Sequence, residues 1–262
     1  MEIKEKIKDA DITLEINQIH NMDCIEGLKL MPDDSVDFIL TDPPFNVGLD
    51  YSDIDDNIPD EEYSEWCFKW ISQLYRIIKE GSYVLIFTGD KKLHYVMKAI
   101  YKTDFTFHHF LKWHKPATKR VLSGTVFFYM TELAFILTKG KANIKKINRK
   151  KLYSDTLIVP SKNRNQLLDG FLVPHPATRP TKLYRKIVEG FSKKEDLVLD
   201  CFMGSGTTAV VCKQLNRNFI GFEISKEYVE LAQKRLSQKV LFPLTEQQEE
   251  KGVNKYGNKR KN

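Results

Sequence analysis

Leu197-Val198-Leu199-Asp200-Cys201-Phe202-Met203-Gly204-Ser205-Gly206-Thr207-Thr208 is the stretch that decides the fold class. Its first four residues are an apolar run of buried-strand type closed by an acid, and Thr207 to Leu215 reads as a helix. Between them Gly204 and Gly206 permit a tight turn and let a ligand approach the backbone. Asn218 to Phe222 reads as the next strand, with Glu223 at its end. An acid about 20 residues beyond a glycine turn, at the tip of the following strand, suits acceptance from ribose hydroxyls. Strand, glycine loop, helix, strand and acid form the layout of a nucleotide site. A plain glycine turn in an ordinary α/β unit is the alternative.

Working outward, strands and helices alternate. Leu14 to Ile19 reads as one short strand ending near His20, and Val36 to Leu40 as a second that delivers Asp42 at its carboxyl end. Asp60 to Lys79 carries Tyr63, Trp66, Cys67, Trp70, Leu74 and Ile77 at helical spacing, with acids in its first turn and Gly81 as its stop. Tyr83 to Phe87 is a buried-type strand, and Lys91 to Tyr101 a helix. Phe105 to Trp113 and Glu132 to Thr138 are strand candidates around a loop containing Gly124. Pro180 suits the first turn of a helix to Phe191, and Ser225 caps a last helix to about Gln238. This alternation predicts an α/β fold with a doubly wound, mostly parallel sheet, which binds ligands at the carboxyl ends of its strands. Asp42 and the glycine loop both fall at such ends.

A chain of 262 residues, 42% hydrophobic with mean hydropathy −0.40, suits one α/β domain with an insertion and a substantial core. No apolar run approaches the roughly 20 residues that span a bilayer, and the N-terminus lacks a signal-peptide core, so a cytoplasmic location without membrane contact is expected. Cys24, Cys67, Cys201 and Cys212 show no CxxC spacing and are expected as core thiols. No metal-ligand spacing is visible among the histidines. The net charge of +6 fits a polyanion partner, and much of it lies between Lys139 and Arg164. That stretch reads either as a solvated face or as a phosphate-contacting surface. The run after Pro243 is polar and basic and is expected to be disordered.

Thr41-Asp42-Pro43-Pro44-Phe45 is the second motif. Two prolines fix φ near −65° and remove backbone donors, which leaves carbonyls to accept. An aryl amine is a poor nucleophile because its lone pair is delocalised into the ring. A carboxylate and a carbonyl accepting its two N–H bonds would localise that pair, and Phe45 offers a flat stacking surface. The glycine loop departs from a dinucleotide fingerprint, since Ala209 stands where a third glycine is needed, and it lacks the Gly-Lys-Ser/Thr of a P-loop.

With Asp-Pro-Pro-Phe early and Phe202-x-Gly204-x-Gly206 late, the chain resembles the β-class, circularly permuted DNA amino-methyltransferases that use S-adenosylmethionine. The resemblance spans roughly Ile16 to Arg235. His175-Pro176-Ala177-Thr178-Arg179-Pro180 matches the family's HPxxKP motif, with Arg179 replacing the usual lysine. It implies a class I methyltransferase (Rossmann-like) sheet, circularly permuted, with a small inserted target-recognition region. The implied division is a catalytic half over 12–138, a basic recognition insertion over 139–174, a cofactor half over 175–242 and a tail over 243–262. Asp42, Pro43, Pro44 and Phe45 would be catalytic. Asp23, Pro180, Asp200, Phe202, Gly204, Ser205, Gly206, Thr207, Thr208 and Glu223 would hold S-adenosylmethionine, although Asp23 taken alone is a surface turn residue. Lys115, Lys119, Arg120, Lys145, Lys146, Arg149, Lys150, Lys151, Lys162 and Arg164 would contact double-stranded DNA. Asn46, Tyr51 and the acids from Asp53 to Asp56 either close over the site or form a solvated loop.

The DPPF form of the motif implies site-specific methylation at N6 of adenine through base flipping, in restriction-modification or as a solitary enzyme. The resemblance also admits a partner restriction endonuclease and a homodimer. A cytosine-N4 enzyme on the same scaffold, and a DNA-binding module that retains the cofactor without catalysis, are the alternatives.

Overall fold

The computed structural model describes residues 6–9, 12–49, 56–116, 121, 126–148, 150–152, 154–161, 167–168, 171–172 and 178–237. Eight strands form one sheet in the order β3 (Gln18–Asn21), β12 (Asn218–Glu223), β11 (Leu197–Asp200), β4 (Val36–Thr41), β5 (Ile78–Thr88), β7 (Thr131–Lys139), β6 (Phe105–His114) and β8 (Thr156–Ile158). All neighbours pair in parallel except β7, which runs against both β5 and β6. Two small hairpins, β1 (Lys6–Asp9) with β2 (Ile12–Glu15) and β9 (Leu167–Leu168) with β10 (Phe171–Leu172), lie outside this sheet.

Helices cover both faces. α1 (Cys24–Lys29), α2 (Asp60–Ile77) and α3 (Leu93–Tyr101) bury Leu28, Trp70, Leu74 and Val96 against Val84, Ile86 and Leu199. On the other face α4 (Thr181–Phe191), α5 (Thr207–Leu215) and α6 (Lys226–Ser237) bury Leu183, Ile187, Val211 and Ala232 against Phe38, Leu40, Leu85 and Phe87. Val84 and Ile86 point to one side and Leu85 and Phe87 to the other, the period-2 alternation of a strand buried on both faces. The expected doubly wound, mostly parallel sheet is therefore present.

Connections leave the centre of this sheet in opposite directions. β11 leads through α5 to β12, whereas β4 leads through α2 to β5. The carboxyl ends of β11 and β4, neighbours through Val198↔Phe38 and Leu199↔Ile39, therefore flank a topological switch point, where such sheets bind ligands.

Several local expectations need correction. Leu14 to Ile19 is not one strand: Asn17 takes φ +65 and splits it, its side chain bonding Asn218 and the Phe219 N–H. Gly81 does not stop α2, which ends at Ile77. It sits inside β5 at φ +70, beside an irregularity in the β4 register. Pro180 caps α4 rather than filling its first turn. α1 and β8 escaped sequence reading, and β8 joins the main sheet from within the stretch assigned to the insertion. The four cysteines are buried as expected. Among the described residues no helix is long and apolar enough to cross a membrane.

Candidate active site

β4 ends at Thr41, and the next residue carries the acid into the switch-point crevice. Pro43 is buried behind it. Tyr63, from α2, donates to the Pro44 carbonyl at 2.9 Å, while no hydrogen bond to the Pro43 carbonyl is found among the described residues. Phe45 packs on the backbone after β5, where a Cβ at Gly89 would come within 3.1 Å of its ring. Asn46 turns the chain with φ +54 and exchanges bonds of 2.8 Å with the backbone of Ile58 in both directions. Asp56 is the last of the acids expected in a solvated or closing loop. It is instead 3% exposed, accepting from the N–H groups of Asn46, Val47 and Leu49. A carboxylate shared by three amides shapes this loop from inside. Tyr51 and Asp53 lie outside the described residues.

Asp42 has a partner that sequence reading did not anticipate. Arg179, just before α4, donates through Nε and Nη2 to the two carboxylate oxygens, the second bond being 2.7 Å. Its Nη1 donates to Glu132 at the start of β7, and Lys115 donates to the other Glu132 oxygen at 2.7 Å. The guanidinium is boxed by the rings of Phe45, Phe87 and Trp113 at 5.3 to 5.6 Å. Burial pushes the Asp42 carboxyl up, with the Arg179 charge pulling against it. Burial also raises Glu132, but there Arg179 and Lys115 outweigh it and the carboxyl is held below its ordinary value. A glutamate opening an otherwise apolar strand, Glu132-Leu133-Ala134-Phe135, was the sequence signal for this network, since an acid is seldom buried unless paired.

The glycine loop stands beside this cluster. Gly204 (φ +50) and Gly206 (φ +80) both use the left-handed region, and Gly206 opens α5 with no side-chain cap on its first N–H groups. A Cβ on Gly206 would lie 2.6 Å from that of Ala232, so α6 packs directly on the turn. Glu223 closes β12 and accepts from the N–H of Gly204 at 2.7 Å and of Ser225 at 2.9 Å, on different oxygens. Asp200 accepts from Thr41 and the Phe202 N–H on one oxygen and from Thr208 on the other. Its carboxylate thus braces the loop. Phe202 packs edge-on against Trp70 and beside Trp66 of α2. Thr207 donates to the Arg179 carbonyl at 3.4 Å. Arg235 of α6, also missed, donates at 2.5 Å to the carbonyl of buried Ser205 and reaches Thr207. Asp23 follows β3, beside the end of β12, and caps α1 through the N–H groups of Ile25 and Glu26.

The basic residues divide differently from expectation. Lys115 is 5% exposed, paired with Glu132 and stacked 3.6 Å over Tyr129, so its ammonium is turned into the protein and away from any phosphate backbone. Lys146 bonds Ser82 and Asn143 bonds Gly81, both at the amino end of β5. Lys150 and Lys151 follow Asn148, which bonds Gly190 at the far end of α4. Because β7 runs antiparallel, Lys145, Lys146, Lys150 and Lys151 emerge at the end of the sheet opposite Asp42, about 20 Å away at roughly 3.3 Å per strand residue. Lys119, Arg120, Arg149, Lys162 and Arg164 lie outside the described residues.

This switch-point site sits on the class I methyltransferase fold. The cytosine-N4-specific PvuII DNA methyltransferase superposes with a TM-score of 0.70 over 84% of this chain and 86% of that one, at 21% identity. The M1.HpyAVI-SAM complex gives 0.65 over 84% and 99%, at 28% identity. A family model described as DNA methylase, for N6 and N4 methyltransferases, matches residues 36–234. The type II methyltransferase M.HpaI of Haemophilus parainfluenzae is 31% identical over 81% of this chain and 71% of its own length. M1.MboII of Moraxella bovis is 30% identical over 86% and 98%. The chain belongs to this N6/N4 DNA methylase family and is a DNA methyltransferase.

Proposed function

We propose that the chain methylates the N6 amino group of adenine at a specific DNA sequence, with S-adenosylmethionine as donor. The observation that carries this is the pairing, at one switch point, of two fixed acceptors with a nucleoside-type loop. The acceptors are the Asp42 carboxylate and the Pro43 carbonyl, the latter kept distinct by the Tyr63 bond to Pro44. The order of the two motifs along the chain supports membership of the permuted β class.

The residues present fit the donor. The uncapped start of α5 suits a carboxylate, since first-turn N–H groups and the helix dipole both favour an anion. Glu223, at the carboxyl end of β12, is fixed by the N–H groups of Gly204 and Ser225 and would hold the ribose hydroxyls. Gly204, Ser205, Gly206, Thr207 and Thr208 would hold the amino-acid end, with Asp200 and Phe202 bracing the loop, and Asp23 and Pro180 flanking it. Bound there, S-adenosylmethionine supplies an electrophilic methyl group.

Asp42 and the Pro43 carbonyl accept the two amino N–H bonds and so restore nucleophilic character to the nitrogen. Phe45 stacks on the base. Burial of Asp42 keeps these bonds strong by excluding water, and positioning supplies most of the remaining catalysis. The base reaches this recess by leaving its helix. Val126, Phe127 and Phe128 are exposed at the same end of the sheet and suit insertion beside an extruded base.

The adenine assignment rests on the acid at the head of the motif. Incubation with DNA and methyl-labelled S-adenosylmethionine, followed by mass spectrometry of the nucleosides, tests it. Labelled N6-methyladenine is expected. Labelled N4-methylcytosine would move the substrate to cytosine, the base of the PvuII enzyme, and leave the mechanism standing.

A further inference from the structure

We infer that Arg179 is a positioning residue for methyl transfer: braced by Glu132 and Lys115, it fixes the direction in which the Asp42 carboxylate presents its lone pairs to the incoming amino group. This rests on the reading of Asp42 given above.

The contacts form an alternating row of charges, Asp42, Arg179, Glu132 and Lys115, each side chain 12% exposed or less. Such a buried row gains little stability over apolar packing, because desolvation offsets the attraction. What it does supply is direction. Arg179 engages both Asp42 oxygens from one side of its planar fork and turns its remaining terminal nitrogen to Glu132. Three aromatic rings prevent the fork from swinging. A carboxylate has about four lone-pair positions, and Arg179 takes one on each oxygen, so the amino group is received without breaking the pair. A lysine, the residue usual in the motif this segment resembles, has a single ammonium and no fork. The bond from Thr207 to the Arg179 carbonyl also ties the same residue to the start of α5, where the donor's carboxylate would lie.

The charges around Asp42 give the test its sign. Arg179 favours the ionised form, Glu132 opposes it, Tyr63, Tyr184 and Asp200 face it from α2, α4 and β11, and Lys115 lies beyond Glu132. Removing the Arg179 charge moves the acid limb of the transfer rate to higher pH. Removing the Glu132 charge moves it to lower pH.

Single-turnover transfer to DNA should be followed across pH for wild type, R179M, R179K and E132Q, with S-adenosylmethionine affinity measured calorimetrically. R179M is expected to lose roughly 100-fold in rate, as a misaimed group does, with cofactor affinity retained and its acid limb shifted up. R179K should restore the limb and part of the rate. E132Q should be slower although its limb shifts down. A wild-type rate and limb in R179M would overturn the inference, as would a rate loss that only parallels lost cofactor binding. Should R179M fail to fold, an E132Q enzyme as fast as wild type overturns it equally. A wild type that labels no DNA sinks the reading of Asp42 and this inference with it, whereas an active wild type matched by R179M sinks only the inference.

Discussion

Thr41 donates its hydroxyl to Asp200 at 3.2 Å and accepts from the Cys201 N–H at 3.3 Å. The residue before the proposed catalytic acid is thereby joined to the acid that opens the glycine loop, 159 positions along the chain. On the proposed reading these two motifs present a nitrogen and a methyl group to each other, and one buried hydroxyl holds them together. Thr41→Val keeps the shape and removes both bonds. It should cost about 1 kcal/mol in urea unfolding and weaken cofactor binding and transfer together.

Asp200 also sets a pH dependence. Burial raises its carboxyl from 3.8 to about 7, against the bonds from Thr208, Phe202 and Thr41. A carboxyl raised on folding contributes stability below its unfolded value and loses that contribution as pH climbs to about 7. The melting temperature of wild type relative to D200N should therefore fall from pH 4 to pH 7 and level off above. A difference independent of pH would contradict the assignment.

Gly206→Ala should destabilise the chain by about 2 kcal/mol, through a side chain at φ +80 and its collision with Ala232. Cofactor binding should fall with it. Pairing it with A232G removes the contact at 2.6 Å but leaves the Cα at 3.1 Å and the backbone strain, so only part of the melting temperature should return.

Asp42→Asn keeps a carbonyl acceptor but turns one donor toward Arg179. Transfer should fall by about 100-fold or more, while calorimetry should still detect S-adenosylmethionine binding close to wild type. Equal loss of both would remove Asp42 from the reaction and leave it a structural group.

Lys145 and Lys150 stand at the amino ends of the strands. The doubly reversed variant K145E/K150E should leave the salt dependence of DNA binding unchanged. Two lost phosphate contacts would instead lower the log–log slope by about 1.8.

The sequence made the sheet, the catalytic turn and the glycine loop legible because their signals are local: apolar runs, prolines after an acid, glycines between strand and helix. The partners of those motifs were not legible. Glu132 meets Lys115 because β6 and β7 pair, and Arg179 meets Asp42 across 137 positions. Asp56 looked like one more acid in a hydrophilic loop, although three amides converge on it. Arg235 gave no signal among the charged residues of the last helix, although it is buried against Ser205. The basic stretch was visible as charge, yet its position depended on the direction of β7, which composition does not encode.

The sheet's central pairing, β4 with β11, also orders events during synthesis. Five neighbouring strands share one direction, but two adjacent ones, β4 and β11, are made far apart in time. At a ribosomal pace of about 5–20 residues per second, β4 waits on the order of 10–30 s for its partner strand to be translated. Until then one edge of a largely apolar strand has no native neighbour, a surface that chaperones recognise and other nascent chains can join. This chain order places its hazard in the half-made enzyme rather than in the finished one.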